Sequence, residues 1–340
     1  MSLFLSLQLM IIPTYWLLNR NDSAEGKSYF LFSILRLASF AAATAIIYFS
    51  VGSTSFNDVR YWISFSYNHS FVWLELLLFL LAFPIKFNFL PERSLAFRII
   101  QKKISMAALV YCVIYPIVSI VFYRTITNIF LHIDTRNIFL LLGLSMVLLF
   151  SSQLLFQNNL KKIVGCTIMN YVGNTLLCCA FPCYNSASSI MFSSASAVAS
   201  LLGIFFLLDG VKKSKVQQIE NISHLNSLAY SNPLFATSVS LLFLSLFGFP
   251  PFLGFWGKFY VCSAMIGKNW TLAIYAATLI SNLICIAKIL DAIWFRKNKE
   301  TFIFAENTVE SVNLMAFLMI IAIPAVCKIL QLMNAELYFA

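Results

Sequence analysis

Long apolar stretches alternate with short polar connections along almost the whole chain. Ten of these stretches are long enough to cross roughly 30 Å of hydrocarbon as a helix. They cover residues 3–18, 29–51, 61–84, 97–122, 138–156, 163–181, 190–208, 234–266, 271–295 and 312–330. The pattern predicts an all-α fold, a polytopic membrane helix bundle of about ten transmembrane helices. We expect the bundle to form a single domain over residues 1–340.

The eighth stretch contains a motif that breaks a helix. Gly248, Pro250, Pro251 and Gly254 stand within it, and Lys258 follows. Prolines remove backbone donors and glycines let the chain leave helical geometry, so we predict that this helix is discontinuous from Gly248 to Gly254. Because the stretch is about twice the usual length of a span, it is compatible with one broken crossing or with two complete ones.

The distribution of lysine and arginine favours the single crossing. With one crossing, most basic residues of the connections fall on one side of the membrane, and with two crossings this bias weakens. Because basic connections remain on the inner side, we predict one broken crossing and place both termini on the outer side. The formal net charge of +10 then belongs mostly to the inner connections and indicates no nucleic-acid partner.

Composition excludes a soluble protein and gives no sign of a redox centre. The chain is 60% hydrophobic and 11% charged, with a mean hydropathy of +0.84, which lies far outside the range of soluble domains. Its eight cysteines and three histidines lack the spacing of a zinc or haem site. We therefore expect no metal, no bound cofactor and no catalytic residue in this chain.

Two ionisable residues fall deep inside predicted spans. A lysine near the middle of a membrane costs about 2.5 to 3.5 kcal/mol and usually faces the bundle interior, so Lys258 predicts an ion or proton site at the helix break. The alternative is a simple kink with a lysine that extends to the membrane surface. Glu75 lies near the middle of the third span, where it could act as a proton relay or as a structural partner for Arg36 or a neighbouring lysine.

Two further lysines are candidates for a proton path. Lys288 has Asp291 three residues later on the same helix face, so an ordinary exposed ion pair explains it about as well as a role in a channel. Lys103 stands where an inner connection gives way to the fourth span. On its own, Lys103 would be an ordinary anchor at the membrane surface.

Two sequence motifs resemble a known family, subunit 2 of mitochondrial respiratory complex I (NADH:ubiquinone oxidoreductase), one of its antiporter-like membrane subunits. The first is Tyr230-Ser-Asn-Pro-Leu followed by Leu244-Ser-Leu-Phe-Gly-Phe-Pro-Pro-Phe-Leu-Gly-Phe-Trp-Gly-Lys258. The second is Gln157-Asn-Asn-Leu-Lys-Lys-Ile-Val-Gly-Cys-Thr-Ile-Met-Asn170, which is similar to the loop that opens another family helix. By this register the resemblance implies a divergent and N-terminally shortened member.

The resemblance implies a subunit of the mitochondrial inner membrane that carries protons along a mid-membrane row of charged residues. Lys258 would stand for the lysine of the broken helix, and Lys103 for the central lysine of the family. FMN, iron–sulfur clusters and ubiquinone would be bound elsewhere in the complex. The implied partners are the other membrane-arm subunits, including neighbouring antiporter-like subunits, and lipids such as cardiolipin.

The sequence departs from the family pattern at two expected charges. A glutamate should stand near Leu5 and a lysine near Phe79, and neither is present. Three readings therefore remain open. The chain could pass protons through its buried lysines, serve as a non-pumping structural bridge within complex I, or work as an independent ion/proton antiporter.

Overall fold

The computed structural model describes residues 24–53, 55–65, 73–78, 108, 110–129, 135–212, 220–296, 303–304 and 309–318. Over these residues the protein is nearly all helical, which confirms the predicted fold class. Four features singled out in the sequence lie outside the described residues. They are the first predicted span, Lys103, and the two positions that lack the expected charges, Leu5 and Phe79.

The described helices follow the order of the predicted spans. In the first part of the chain they are α1 (Ala24–Val51), α2 (Phe56–Phe65), a π-helical turn (Val110–Ile114) continued by α3 (Tyr115–Ile129), α4 (Arg136–Phe156), α5 (Leu160–Ala180) and α6 (Tyr184–Gly210). In the second part they are α7 (Pro233–Phe247), α8 (Leu253–Ala264), α9 (Asn269–Trp294) and α10 (Val309–Leu318). Strands β1 (Val211–Lys212) and β2 (Ile303–Phe304) form a small antiparallel pair.

Four of these helices, α4, α5, α6 and α9, are each long and apolar enough to cross a membrane. Each begins slightly before the span that the sequence predicts, because helices start at polar capping residues that an apolar count leaves out. Asn159 shows this at the start of α5, where its side-chain oxygen accepts hydrogen bonds from the backbone N–H groups of Lys161 and Lys162. Asn232 does the same for Phe235 at the start of α7.

Helix α5 lies at the centre of the described bundle. It packs on α4 and α6, and nearly all of its residues are buried. Two glycines allow the close approach of α4 and α5, because a Cβ atom at Gly143 would lie 2.8 Å from the Leu177 side chain and one at Gly173 would lie 2.5 Å from Val147. Small residues at such contacts are typical of membrane helices, whose association depends on packing.

The strand pair fixes the topology of the second half. Val211 follows α6 directly and pairs with Phe304, which lies beyond the end of α9. The start of α5 is tied to the segment that precedes α7, since the Leu160 N–H donates to the carbonyl of Glu220 and Lys161 forms a 2.9 Å ion pair with the Glu220 carboxylate. Because α6 and α9 end on one side, α7 and α8 together cross the membrane once, in agreement with the charge distribution.

This topology predicts how single cysteines will react with a membrane-impermeant thiol reagent. Ser231, before α7, and Lys268, after α8, are both exposed. With native Cys183 replaced by serine, Ser231→Cys and Lys268→Cys should be labelled from opposite sides. Cys183 is exposed between α5 and α6, so the parent protein that retains this cysteine is the control and should be labelled from the side of Lys268. Labelling of both introduced cysteines from one side would contradict the single crossing.

Candidate functional site

The break between α7 and α8 is shorter than the sequence predicts. Only residues 248–252 leave the helix, and Gly254 already belongs to the first turn of α8. The prediction of a break from Gly248 to Gly254 was therefore wrong at its far end. Gly254 is required for a different reason, because a Cβ atom there would lie 1.9 Å from the carbonyl oxygen of Ser245 in α7.

Gly248 and the two prolines make the break itself. Gly248 has φ 77°, in the left-handed region, where a side chain is strained. Its N–H donates to the carbonyl of Ser245, and the N–H of Phe249 donates to that of Leu244, which is the Schellman ending of a helix. Pro250 and Pro251 follow, and they carry no N–H that would need a partner inside a membrane.

Two side chains complete the hydrogen bonding at the end of α7. The last four carbonyls of a helix have no partner within it. The Schellman bonds satisfy two of them, Leu244 and Ser245. The Tyr171 hydroxyl donates to the carbonyl of Leu246 at 2.9 Å, and Nζ of Lys258 donates to that of Phe247 at 2.6 Å. Every carbonyl of this helix end is thus paired, as a membrane interior requires.

Lys258 is buried beside the break, with only 7% of its surface exposed. This confirms the predicted position and contradicts the alternative of a lysine that extends to the membrane surface. The ammonium group lies against the C-terminal end of α7, where the helix dipole favours a positive charge. In the described part of the chain, the ion pairs are Lys161 with Glu220 and Arg296 with Asp291, so no carboxylate pairs with Lys258 there.

Helix α6 holds α8 in the position that buries Lys258. A Cβ atom at Gly257 would lie 3.0 Å from the backbone nitrogen of Ser193, so the two helices touch closely. The rings of Phe192 and Tyr260 stack with their centroids 5.6 Å apart across the same contact. The lysine is therefore carried by a rigid helix pair and not by a loop.

Lys258 lines a small polar cavity that was not predicted from the sequence. Its volume is about 10 Å³, room for roughly one water molecule. The other lining residues come from three helices and are Thr167, Asn170, Tyr171, Asn174, Leu246 and Asn282. Four of these stand at positions 167, 170, 171 and 174 of α5, a spacing that places them on one helix face. This spacing of polar residues within an apolar span was the sequence signal that could have indicated the cavity.

Two other predicted site residues, Glu75 and Lys288, do not line this cavity. Glu75 is fully buried in the helical segment 73–78, and both of its carboxyl oxygens lack a hydrogen-bond partner. Lys288 is largely exposed, and its Nζ donates at 2.5 Å to the carbonyl of Leu155 at the end of α4. The structure therefore brings neither residue to Lys258, and their roles in a proton path remain predictions. Among the described residues, no three His, Cys, Asp or Glu side chains are grouped to hold a metal ion.

Comparison with known proteins identifies the family. The family described as "NADH:quinone oxidoreductase/Mrp antiporter, TM" matches residues 1–284. NADH-quinone oxidoreductase subunit N of Flavobacterium psychrophilum is 23% identical over 307 residues, which are 87% of this chain. The chain spans 66% of that relative's length, just under two thirds.

Solved structures share the fold. A chain of respiratory complex I from Thermus thermophilus with bound NADH has a TM-score of 0.78 at 17% identity, over 93% of this chain and 69% of that one. A chain of the Mrp complex from Dietzia sp. DQ12-45-1b has a TM-score of 0.73 at 19% identity, over 87% of this chain and 57% of that one. With the family match, these similarities show that the chain belongs to the antiporter-like membrane subunits of the NADH:quinone oxidoreductase and Mrp antiporter family.

Proposed function

We propose that this chain is a membrane-arm subunit of respiratory complex I and contributes to proton translocation coupled to NADH:ubiquinone oxidoreduction. The observation that carries the proposal is the buried Lys258, which faces a polar cavity at a helix break. The relatives named as subunits of NADH-quinone oxidoreductase support the placement. Because the chain spans only part of their length, the activity of the whole assembly is proposed here and does not follow from the match alone.

The surroundings of Lys258 suit a group that gains and loses a proton. Burial disfavours the ammonium form, whereas the end of α7 and the carbonyl of Phe247 favour it. A paired carboxylate would stabilise the ammonium far more strongly, and no such partner occurs among the described residues. The two forms of the amine can therefore interchange at modest cost, so Lys258 can receive a proton from one side of the cavity and release it to the other.

The proposal assigns no redox chemistry to this chain. FMN, iron–sulfur clusters and ubiquinone would be bound by other subunits, whose electron transfer would drive the protons here. The partners would be neighbouring antiporter-like and other membrane-arm subunits, with lipids such as cardiolipin around them. The resemblance to subunit 2 of the mitochondrial complex supports a location in the mitochondrial inner membrane, whereas the named relatives are bacterial.

One observation favours a second candidate, the non-pumping bridge. Lys258 caps the end of α7, and a lysine that only completes the hydrogen bonding of a helix end needs no proton traffic. The absent charges near Leu5 and Phe79 agree with this second reading. The two candidates differ in whether the proton on Lys258 ever leaves, which the variants in the Discussion test.

Membership in complex I has a direct test. A native gel of mild-detergent membrane extracts, probed with an antibody against this chain, should show it in an assembly of very high mass that also has NADH dehydrogenase activity. The likeness to a chain of the Mrp complex makes an independent antiporter the contrasting case. A band at the mass of a small oligomer without NADH dehydrogenase activity would contradict the proposal and favour that antiporter.

A further inference from the structure

We propose that Asn170 and Asn282 form a water-binding site on Lys258, in which their carboxamides take the place of an ionisable partner. Asn170 comes from α5 and Asn282 from α9, and both line the cavity that Lys258 enters from α8. The water site is inferred from the size of the cavity and from the unpaired polar atoms of its lining residues. Its role in proton transfer rests on the function proposed above.

The first observation is unsatisfied hydrogen bonding. Asn170 is 5% exposed and Asn282 is 4% exposed. The Nδ2 and Oδ1 atoms of Asn170 and the Oδ1 atom of Asn282 are buried without a hydrogen-bond partner. Leaving such an atom unpaired costs about 1 to 3 kcal/mol, and native proteins usually satisfy these groups, often with a buried water. Three unpaired atoms on residues that line one cavity therefore indicate a bound molecule.

The second observation is the fit of the cavity to that molecule. Its volume of about 10 Å³ leaves room for roughly one water molecule. Nζ of Lys258 has three N–H donors, of which the bond to the Phe247 carbonyl uses one. A water in the cavity would accept from Nζ and donate to Oδ1 of Asn170 and of Asn282. These partners are within the two to four that buried waters normally have.

Asn174 shows why these two carboxamides are singled out. It lines the same cavity one turn beyond Asn170, yet its Oδ1 already accepts a hydrogen bond from the Tyr275 hydroxyl at 3.1 Å. That bond links α5 to α9 without a water. Asn170 and Asn282 retain the free groups that a water needs, so they position it, while Asn174 and Tyr275 hold the two helices together.

A carboxamide suits this position because it donates and accepts without carrying a charge. An aspartate at position 170 or 282 would pair with Lys258 and hold its proton. A neutral carboxamide keeps the water oriented toward Nζ and, unlike a carboxylate, does not hold the proton on the amine. Asn170 and Asn282 are thus positioning residues, which keep the water hydrogen-bonded to Nζ of Lys258.

The test compares isosteric variants in the assembled complex. Asn170→Val removes the polar groups, whereas Asn170→Thr has the same shape and keeps a hydroxyl. Asn313→Leu is the matched control, because Asn313 also has a buried, unpaired oxygen but lies in α10 and does not line the cavity. A cryo-EM map of the wild-type complex should show one water within hydrogen-bond distance of Asn170 and Asn282. The Asn170→Val map should lack it.

Proton-coupled quinone reductase activity is the second readout. We expect Asn170→Val to lower it about tenfold, the factor that corresponds to losing one hydrogen bond in the water site. Asn170→Thr should recover most of the activity, and Asn313→Leu should match the wild type. A wild-type map with an empty cavity would overturn the water site.

Equal activity of the valine and threonine variants, in a complex where Lys258→Met is impaired, would overturn the role of Asn170 while leaving the proposed function standing. The opposite case is also distinguishable. If the water is present but Lys258→Met pumps normally, the proposed function fails and the water site remains.

Discussion

Replacing Lys258 by methionine is expected to leave the complex assembled and to lower proton-coupled quinone reductase activity by about tenfold or more. Methionine fills a similar volume within α8 but cannot accept or release a proton. Lys258→Arg should impair the activity as well, because arginine stays protonated in proteins. Activity is measured in membranes after the amount of assembled complex has been matched on native gels.

Lys268→Met is the matched control for these variants. Lys268 is exposed in the turn after α8 and does not line the cavity, so its loss should leave activity unchanged. If Lys258→Arg kept full activity, a permanent positive charge at the end of α7 would be sufficient. The lysine would then be a helix cap, as the structural-bridge reading requires.

Gly254→Ala is expected to prevent stable assembly. The added methyl group would lie 1.9 Å from the Ser245 carbonyl oxygen, which belongs to the backbone and cannot rotate away. Overpacking commonly costs about 1 to 3 kcal/mol, and a clash with backbone should exceed that range because α7 and α8 would have to separate. The measurement is the abundance of assembled complex on a native gel and its temperature of inactivation.

A second glycine provides the control for this variant. Gly267 has φ 96° and no atom within 4 Å of the position that a Cβ would occupy. Gly267→Asn should therefore lose much less stability than Gly254→Ala, since it meets no neighbouring atom and carries only the strain of a positive φ, which asparagine tolerates better than most residues. Normal abundance and thermal stability of Gly254→Ala would mean that α7 and α8 do not approach as closely as the structure shows.

The sequence was sufficient to predict the fold class, the single broken crossing and the burial of Lys258. These follow from apolar length, basic residues in the connections, and the cost of a charge in hydrocarbon, all of which are local or additive properties. The far end of the break was mispredicted for a specific reason. Gly254 was read as a helix breaker, but it is needed for contact with Ser245, a residue of the other half-helix.

The polar cavity was missed because its residues are far apart in sequence. Asn282 looks like an isolated polar residue in an apolar span, and only the meeting of α5, α7, α8 and α9 at one cavity brings it and the polar face of α5 to Lys258. Lys288 illustrates the same limit. Its partner, the Leu155 carbonyl, is a backbone group 133 residues away, which no side-chain pattern can indicate. The ion pair between Lys288 and Asp291 that the sequence suggested does not form, because Asp291 pairs with Arg296 instead.

The number of protons translocated per electron tests the central claim most directly. It should be measured in proteoliposomes that contain purified complex with either wild-type Lys258 or Lys258→Met, at equal rates of NADH oxidation. If Lys258 passes protons, the variant should translocate fewer protons per electron than the wild type. An unchanged ratio in a fully assembled Lys258→Met complex would contradict this account and leave the chain as a structural bridge.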